Sequence, residues 1–282
     1  MVERPAQVDA VGPSLLRLAR NDGINGLDWP RKNLGRAVEG LYKVEYDIGD
    51  GSGRSVLYAH GGTMLGGNTA FAHFGTYETV AGEIVARLRT KRHSRSPQRR
   101  SLTSSDQVTL RIRGRPQGKL WRFEGEVVED ATVFRAVMTP LSDEDVPPPG
   151  IVGDGGIVSG LYSIDIRMLD GLGGGQTGVM LLRDGRILGG DAFFYYLGAY
   201  SSANGRWKGE FVNQEHTPAK SEHPLFGGYE VGIGFSGRCD GTGAEIEATA
   251  LAGKLSIRFA ATLKLIEPFV KVGDSDQSAA IR

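Results

Sequence analysis

The sequence has little of what builds disulfide frameworks, zinc sites or membrane spans. Its 282 residues include one cysteine, Cys239, which has no partner for an internal disulfide and offers no cysteine cluster to zinc. Charge or glycine interrupts each apolar stretch well before the roughly 20 residues that a membrane-spanning helix needs. The first residues are too charged for the apolar core of a signal peptide. We therefore expect a cytoplasmic protein that does not enter a membrane.

The chain also lacks net charge and an excess of proline. It holds 33 basic and 33 acidic side chains, and its 12 prolines follow no collagen-like period. Hydrophobic residues make up 40% of the chain, which excludes a wholly disordered protein. Glycine is what the chain has in excess, because its 42 glycines are about twice the average usage. We interpret this excess as the mark of many turns.

An internal repeat accounts for much of the glycine. Residues 54–141 align without a gap with residues 177–264, and 18 of the 88 aligned pairs are identical. The matches fall in short motifs, which include Leu65-Gly66-Gly67 with Leu188-Gly189-Gly190, and His93 with His216. Before the aligned region, and after a three-residue insertion, Gly40-Leu41-Tyr42 repeats as Gly160-Leu161-Tyr162. Such self-similarity indicates two copies of one domain in tandem.

The repeat divides the chain into an N-terminal arm, a first domain, a linker, a second domain and a tail, at residues 1–39, 40–141, 142–158, 159–270 and 271–282. The linker is acidic and contains a proline triplet, a composition typical of segments outside a folded core. The arm matches neither domain and contains one predicted short helix, Ser14–Arg20. We expect it to be poorly ordered or to dock on a barrel or a partner.

Apolar and polar residues alternate with a period of two in both copies. Tyr42, Val44, Tyr46 and Ile48 share one face of the first strand, for example, and polar residues occupy the other face. Each copy indicates about eight short antiparallel strands and no helix of ordinary length. The prediction is all-β, with two tandem small barrels, because closure removes edge strands and the strand glycines suit sharp bends. A β-sandwich is the alternative.

Several motifs of the second copy together resemble the GrlR family of bacterial regulators, and the first copy resembles it more weakly; these motifs are Gly160–Asp165, Asp184–Asp191, Tyr196–Tyr200 and Ile266-Glu267-Pro268. The resemblance implies lipocalin-like eight-stranded barrels and a cytoplasmic setting. It also implies non-enzymatic work, in which a transcriptional activator of type III secretion genes is bound and restrained. The family's acidic contact loop has no counterpart here, since residues 78–83 and 201–206 hold no acidic run.

Motifs for catalysis or cofactor binding are lacking. No Gly-x-Ser-x-Gly elbow occurs, and the glycine-rich segments 49–54 and 171–176 lie between predicted strands, where they indicate hairpin loops rather than phosphate loops. His93 and His216 occupy one place in both copies without a Glu or His partner at helical spacing. We interpret them as polar strand ends. The sequence thus predicts no catalytic residue, no metal and no cofactor.

The strongest local charge is the basic run from Arg87 to Arg100, which holds seven Lys or Arg residues and no acid. It is a solvated loop, a docking site for an acidic protein surface, or a nucleic-acid contact. The last is the least favoured, because no aromatic residues are interleaved for base stacking. The candidate partner-binding residues are Arg92, Arg95, Arg99 and Arg100.

Two functions follow from these observations. The first is a non-enzymatic regulatory module that restrains a transcriptional or secretion regulator by protein–protein contact. The alternative is a binder of a small hydrophobic ligand, because eight-stranded barrels can enclose one. Candidate residues for lining such an interior are Tyr42, Tyr46, Phe71, Tyr162, Phe194 and Trp207.

Overall fold

A computed structural model of the chain describes residues 38–94, 101–103, 105–141, 147–169, 174–219, 226 and 230–269. Within these ranges the chain forms sixteen β-strands and no helix. The first eight strands, β1 to β8, are Gly40–Ile48, Gly51–His60, Thr63–Gly67, Phe71–Val80, Glu83–Arg92, Gln107–Gln117, Leu120–Val127 and Val133–Pro140. The second eight, β9 to β16, are Gly160–Met168, Gly174–Arg183, Arg186–Gly190, Phe194–Ala203, Arg206–Glu215, Val231–Cys239, Gly243–Ala252 and Leu255–Pro268.

Each set of eight strands closes into one antiparallel barrel. Every strand pairs with its neighbours along the chain, β1 closes the first barrel against β8, and β16 closes the second against β9. The predicted all-β fold with two tandem barrels is therefore confirmed. A sandwich would leave sheet edges, whereas closure pairs every strand on both sides.

Two-residue turns join several strands in the way that their sequences predict. At Asp184–Gly185 the φ angles are 46° and 83°, and at Asn204–Gly205 they are 53° and 71°. Positive φ at both positions is the signature of a type I′ turn, whose twist matches that of a hairpin. Ala81–Gly82, which aligns with Asn204–Gly205, has φ angles of 51° and 82°. Equivalent hairpins thus use the same geometry in both barrels.

Alternate residues of each strand point inward and fill the two barrels separately. The core of the first barrel has four buried aromatic side chains, Tyr42, Trp121, Phe123 and Phe134. The core of the second barrel has nine, which are Tyr162, Phe194, Tyr196, Tyr200, Trp207, Phe211, Phe226, Phe235 and Phe259. The same backbone plan therefore encloses interiors of very different content.

A third apolar cluster joins the barrels through outward-facing side chains of equivalent strands. It includes Leu41, Val56, Leu65 and Phe74 of the first barrel and Leu161, Val179, Leu188 and Leu197 of the second. Leu41 and Leu161, like the other three pairs, hold the same place in the two copies. Burial of these side chains away from water holds the barrels together.

The contacts across this cluster are reciprocal. A Cβ atom at Gly190 would lie 2.9 Å from Val56 Cγ2, and a Cβ atom at Gly67 would lie 2.9 Å from Val179 Cγ1. In the repeat, Val56 corresponds to Val179 and Gly67 to Gly190, so each contact is the other with the barrels exchanged. Reciprocity of this kind defines a two-fold relation. The barrels pack as the subunits of an isologous dimer do, within a single chain.

The described part of the linker, residues 147–158, lies on the second barrel. Ser202 N donates to Ile151 O at 2.9 Å, and Gly153 N donates to Ser202 O at 2.8 Å. Ile157 is buried in the core of the second barrel. The linker composition predicted a segment outside the core, but this half adds backbone pairing and one buried side chain to the second barrel. The predicted helix Ser14–Arg20 and the predicted tail, residues 271–282, lie outside the described residues.

Candidate functional site

The interior of the first barrel contains a cavity of about 70 Å³. Its walls are mostly apolar, with side chains that include Val44, Leu57, Met64, Leu110 and Met138. A water molecule occupies about 30 Å³ in the liquid, so the space holds about two waters or a small organic group. The polar residues on its wall are Tyr46, Ser55, His73, Thr90, Ser101 and Thr103.

Asn68, which follows β3, organises the polar part of the wall. Its Oδ1 accepts hydrogen bonds from the backbone N–H groups of Ala70 and Phe71, both at 2.9 Å, which fixes the orientation of the amide. The Nδ2 group therefore faces the barrel wall, where it donates to the Tyr46 hydroxyl at 3.1 Å and to Ser55 Oγ at 3.3 Å. A loop residue thus sets the direction of two interior hydroxyls.

His73 continues this network into the cavity. Its Nε2 lies 2.9 Å from Ser55 Oγ, and its Nδ1 lies 3.0 Å from Thr90 Oγ1. Each ring nitrogen thus has one hydroxyl partner, and the neutral ring donates to one of these hydroxyls and accepts from the other. Burial lowers the pKa of His73 to about 4, with a smaller contribution from His93. The imidazole is therefore neutral at physiological pH.

The mouth of the cavity is covered by the segment Ser101–Thr103, which lies between β5 and β6. Leu102 Cδ2 would be 2.6 Å from a Cβ atom at position 51, so the absence of a side chain at Gly51 makes room for it. Leu102 nevertheless remains 39% exposed. In the second barrel, Phe226 from the corresponding connection is 8% exposed and packs against Phe259 with ring centroids 6.3 Å apart. The first barrel thus has the looser cover.

Aromatic side chains occupy the corresponding interior of the second barrel. His73 aligns with Tyr196 and Ser55 with Gly178, and a Cβ atom at Gly178 would lie 3.2 Å from the Tyr196 hydroxyl oxygen. The Tyr196 ring therefore extends over the position where the first barrel has the Ser55 side chain, and it packs against Phe211 with centroids 5.7 Å apart. Burial, together with hydrogen bonding to Asp191, raises the pKa of Tyr196 well above its usual value.

The residues predicted to line an interior ligand site all point into a barrel, but only two reach the cavity. Tyr46 and Phe71 line it. Tyr42 belongs to the packed part of the first core, and its hydroxyl donates to Glu39 O at 3.1 Å. The other three, Tyr162, Phe194 and Trp207, belong to the core of the second barrel.

Sequence reasoning missed Ser55, His73 and Thr90. A signal was present, because each occupies an inward position in the two-residue alternation of its strand, where apolar residues are the norm. A polar residue at such a position needs a hydrogen-bond partner. Three of them, on β2, β4 and β5, form one hydrogen-bond network.

Of the candidate partner-binding arginines, Arg92 is the one that the structure describes. Its Nε lies 2.6 Å from Asp106 Oδ1, and its guanidinium lies over the Phe71 ring, 4.5 Å from the centroid. Its side chain is 11% exposed. Arg92 therefore closes the end of the first barrel. Arg95, Arg99 and Arg100 lie outside the described residues, and a role in partner binding stays a prediction for all four.

The paired histidines at the ends of β5 and β13 tie neighbouring segments together. His93 Nε2 donates to Asn68 O at 2.9 Å, and His216 Nε2 lies 3.4 Å from the carbonyl oxygen of Asp191, the equivalent residue. Burial lowers the pKa of both rings, that of His216 to about 4. No group of three metal-ligating side chains occurs among the described residues.

The Ser55–His73 pair has the separation of a nucleophile and its base, and its surroundings favour a different role. An activated serine needs a histidine that is a competent base near neutral pH, commonly oriented by a carboxylate. Here a threonine hydroxyl contacts Nδ1, and burial lowers the pKa of the ring to about 4. The network is suited to hydrogen bonding in an enclosed space.

Comparisons with known proteins give only distant structural likeness. No family model matches the chain, and no curated protein matches it. A Bacteroides fragilis protein described as an outer membrane protein aligns over 81% of this chain and 97% of its own, with 9% identity and a TM-score of 0.22. Aeromonas veronii immune modulator A aligns over 82% and 96%, with 8% identity and a TM-score of 0.20. Likeness at this level indicates no function, and the resemblance to the GrlR family stays a prediction.

The part of the chain that the structure describes has no helix long and apolar enough to cross a membrane.

Proposed function

We propose that the protein is a non-enzymatic binding protein whose first barrel takes one small, uncharged, largely apolar ligand. The observation that carries the proposal is the contrast between the cavity on the His73 side of the first barrel and the aromatic packing at the same place in the second. Eight-stranded barrels of this size either fill their interior or hold one small ligand. In this chain the first barrel has a cavity, and the second barrel fills its interior with aromatic side chains.

The chemistry of the wall defines the ligand. Among the described residues, the lining includes no Asp, Glu, Lys or Arg, and His73 is neutral above about pH 4. A charged ligand would lose its hydration without gaining a counter-charge, which is costly in an apolar enclosure. A neutral group that donates or accepts hydrogen bonds fits the Ser55, His73 and Thr90 side chains, and a short apolar body fits the rest.

Methionine methyl groups provide the test, because they report on each barrel separately. Met64 and Met138 line the cavity, whereas Met168 and Met180 lie in the core of the second barrel. With ¹³C-methyl methionine, titration with methanol, which matches the cavity in size, is expected to shift the Met64 and Met138 signals in a saturable way and to leave Met168 and Met180 in place. Formate, a charged probe of similar size, is expected to shift none of them.

Two variants sharpen this experiment. Ser55→Gly with His73→Tyr installs the residues of the second barrel and is expected to abolish the shifts while the second-barrel signals stay unchanged. Leu102→Ala removes part of the cover and is expected to admit 1-butanol. Equal shifts at all four methyl groups, or no saturable shift with either alcohol in any variant, would contradict the proposal.

The regulatory function implied by the resemblance, restraint of a transcriptional or secretion regulator, stays a prediction. Its basis is the resemblance and the basic run, most of whose arginines lie outside the described residues.

A further inference from the structure

The outer face of the second barrel carries a basic groove at the junction of β12, β13 and β14. The groove has a volume of about 650 Å³, and the linker residues Ile151 and Gly153 form one of its sides. Arg206 and Lys208 of β13 and Arg238 of β14 line it, together with the hydroxyl-bearing residues Ser201 and Ser236. None of the described residues that line it carries a carboxylate.

Two of the cations of the groove lie side by side on neighbouring strands. Arg206 and Arg238 are direct cross-strand partners, and like charges in this position repel each other. Within the described residues, no carboxylate oxygen lies within 4.0 Å of Arg206, Lys208 or Arg238. Glu245 is the cross-strand partner of Arg238 on its other side, but it forms no ion pair with it.

At the equivalent place in the first barrel, a carboxylate forms ion pairs with the arginines. Arg206 aligns with Glu83 and Arg238 with Arg115. Glu83 Oε1 lies 2.6 Å from Arg115 Nε, and Glu83 Oε2 lies 3.3 Å from Arg113 Nη1. At the position where the first barrel has a carboxylate between arginines, the second barrel therefore has another arginine. The carboxylate of this row lies on the next strand in the second barrel, because Glu245 aligns with Arg122, and it forms no ion pair with Arg238. The guanidinium groups of Arg206 and Arg238 are therefore available to an anion.

We infer that this groove binds a small molecule with two or more closely spaced oxyanion groups. Arginine binds phosphate and carboxylate oxygens in bidentate geometry, and two arginines with a lysine suit a multivalent anion. Ser201 Oγ accepts from Ile151 N at 3.0 Å, which leaves its hydroxyl hydrogen to donate to the anion. The volume lies in the range of small-ligand sites. Trp207, the aromatic residue of the lining, is buried and offers no face for base stacking, so nucleic acid fits less well.

Calorimetric titration of the full chain with inorganic pyrophosphate and with citrate tests the inference. We expect saturable binding of at least one of them with 1:1 stoichiometry, and their relative affinity separates a phosphate ligand from a carboxylate ligand. Arg206→Glu installs the residue of the first barrel and is expected to weaken binding at least tenfold. Lys254→Glu makes the same change of charge at the turn between β15 and β16, at the other end of β15, and is expected to change the affinity less than twofold.

Three outcomes would overturn the inference: no saturable binding of either probe, equal weakening by Arg206→Glu and Lys254→Glu, or binding of random-sequence oligonucleotides that pyrophosphate fails to displace. Arg206→Glu lies on an exposed surface, and the melting temperature of the variant shows whether the second barrel still folds. The test is independent of the methionine experiment, because the groove and the cavity lie in different barrels.

Discussion

The two barrels of this chain share one backbone plan and differ at matched interior positions. Where the first barrel has Ser55 and His73, the second has Gly178 and Tyr196, and the tyrosine ring covers the place of the missing side chain. The first barrel keeps a cavity with a polar wall, and the second has a dense aromatic core. The comparison teaches that substitutions at matched interior positions, this pair among them, distinguish an open barrel from a packed one.

Truncation of the matched pair of side chains is expected to have the largest effect and to separate the barrels. Tyr196→Ala leaves a hole in a close-packed core, and loss of a large buried aromatic side chain costs about 3–5 kcal/mol. His73→Ala enlarges a cavity that already exists and is expected to cost about 1–2 kcal/mol, chiefly through lost hydrogen bonds. Urea unfolding followed by tryptophan fluorescence and circular dichroism measures both. Equal costs would mean that the two interiors are equally packed.

Acidification is expected to have the next largest effect. Burial lowers the pKa of His73 to about 4, below the usual value of 6.5, so the unfolded chain binds more protons than the folded chain between these pH values. The stability from this residue is complete above about pH 6.5 and is lost as the pH falls towards 4. His73 alone accounts for a loss of about 3 kcal/mol between pH 7 and pH 4.

The free energy of unfolding measured across this pH range, in the native chain and in His73→Gln, checks the effect. The variant is expected to show a shallower dependence on pH. His216→Gln is the matched variant in the second barrel, because burial also lowers the pKa of His216 to about 4. A pH dependence unchanged by His73→Gln would show that the ring is not held neutral by burial.

The smallest expected effect is at the interface between the two barrels. Matched substitutions there are expected to lower the free energy of unfolding by the same amount in both barrels. A Cβ atom at Gly67 would lie 2.3 Å from Phe71 O, and one at Gly190 would lie 2.2 Å from Phe194 O. Both glycines have positive φ, 157° and 153°. Gly67→Ala and Gly190→Ala are each expected to cost about 2 kcal/mol, through backbone strain and the displaced valine of the other barrel. Costs that differ by more than about 1 kcal/mol would break the two-fold relation.

Much of the fold was predictable from the sequence because β-structure leaves a regular trace. The two-residue alternation marks inward positions, dipeptides such as Asp184-Gly185 mark hairpins, and the gapless repeat requires both copies to share one plan. The linker was harder to predict. Its acidic, proline-rich composition favours an unpacked segment, but Ile157 is buried and residues 150–155 pair with the second barrel.

The candidate site was only partly predictable. Aromatic residues such as Tyr46 and Phe71 attract attention as lining residues, but alternation alone does not tell a cavity wall from a filled core. The cavity results from differences at a few positions, because loss or gain of one ring changes the local volume and leaves the alternation of apolar and polar residues intact. The basic groove was missed because Arg206 and Arg238 are distant in sequence and become neighbours only through strand register.

The sequence by itself determined that the chain is a tandem duplication of a turn-rich β-domain, because periodicity and glycine placement depend only on local backbone geometry. The tertiary structure decided which interior stays open, which arginines lie side by side and which faces of the barrels meet. Those outcomes depend on the register and closure of strands far apart in the chain, and on volumes to which many side chains contribute together. Pairing across a barrel is a long-range property, and local pattern contains no record of it.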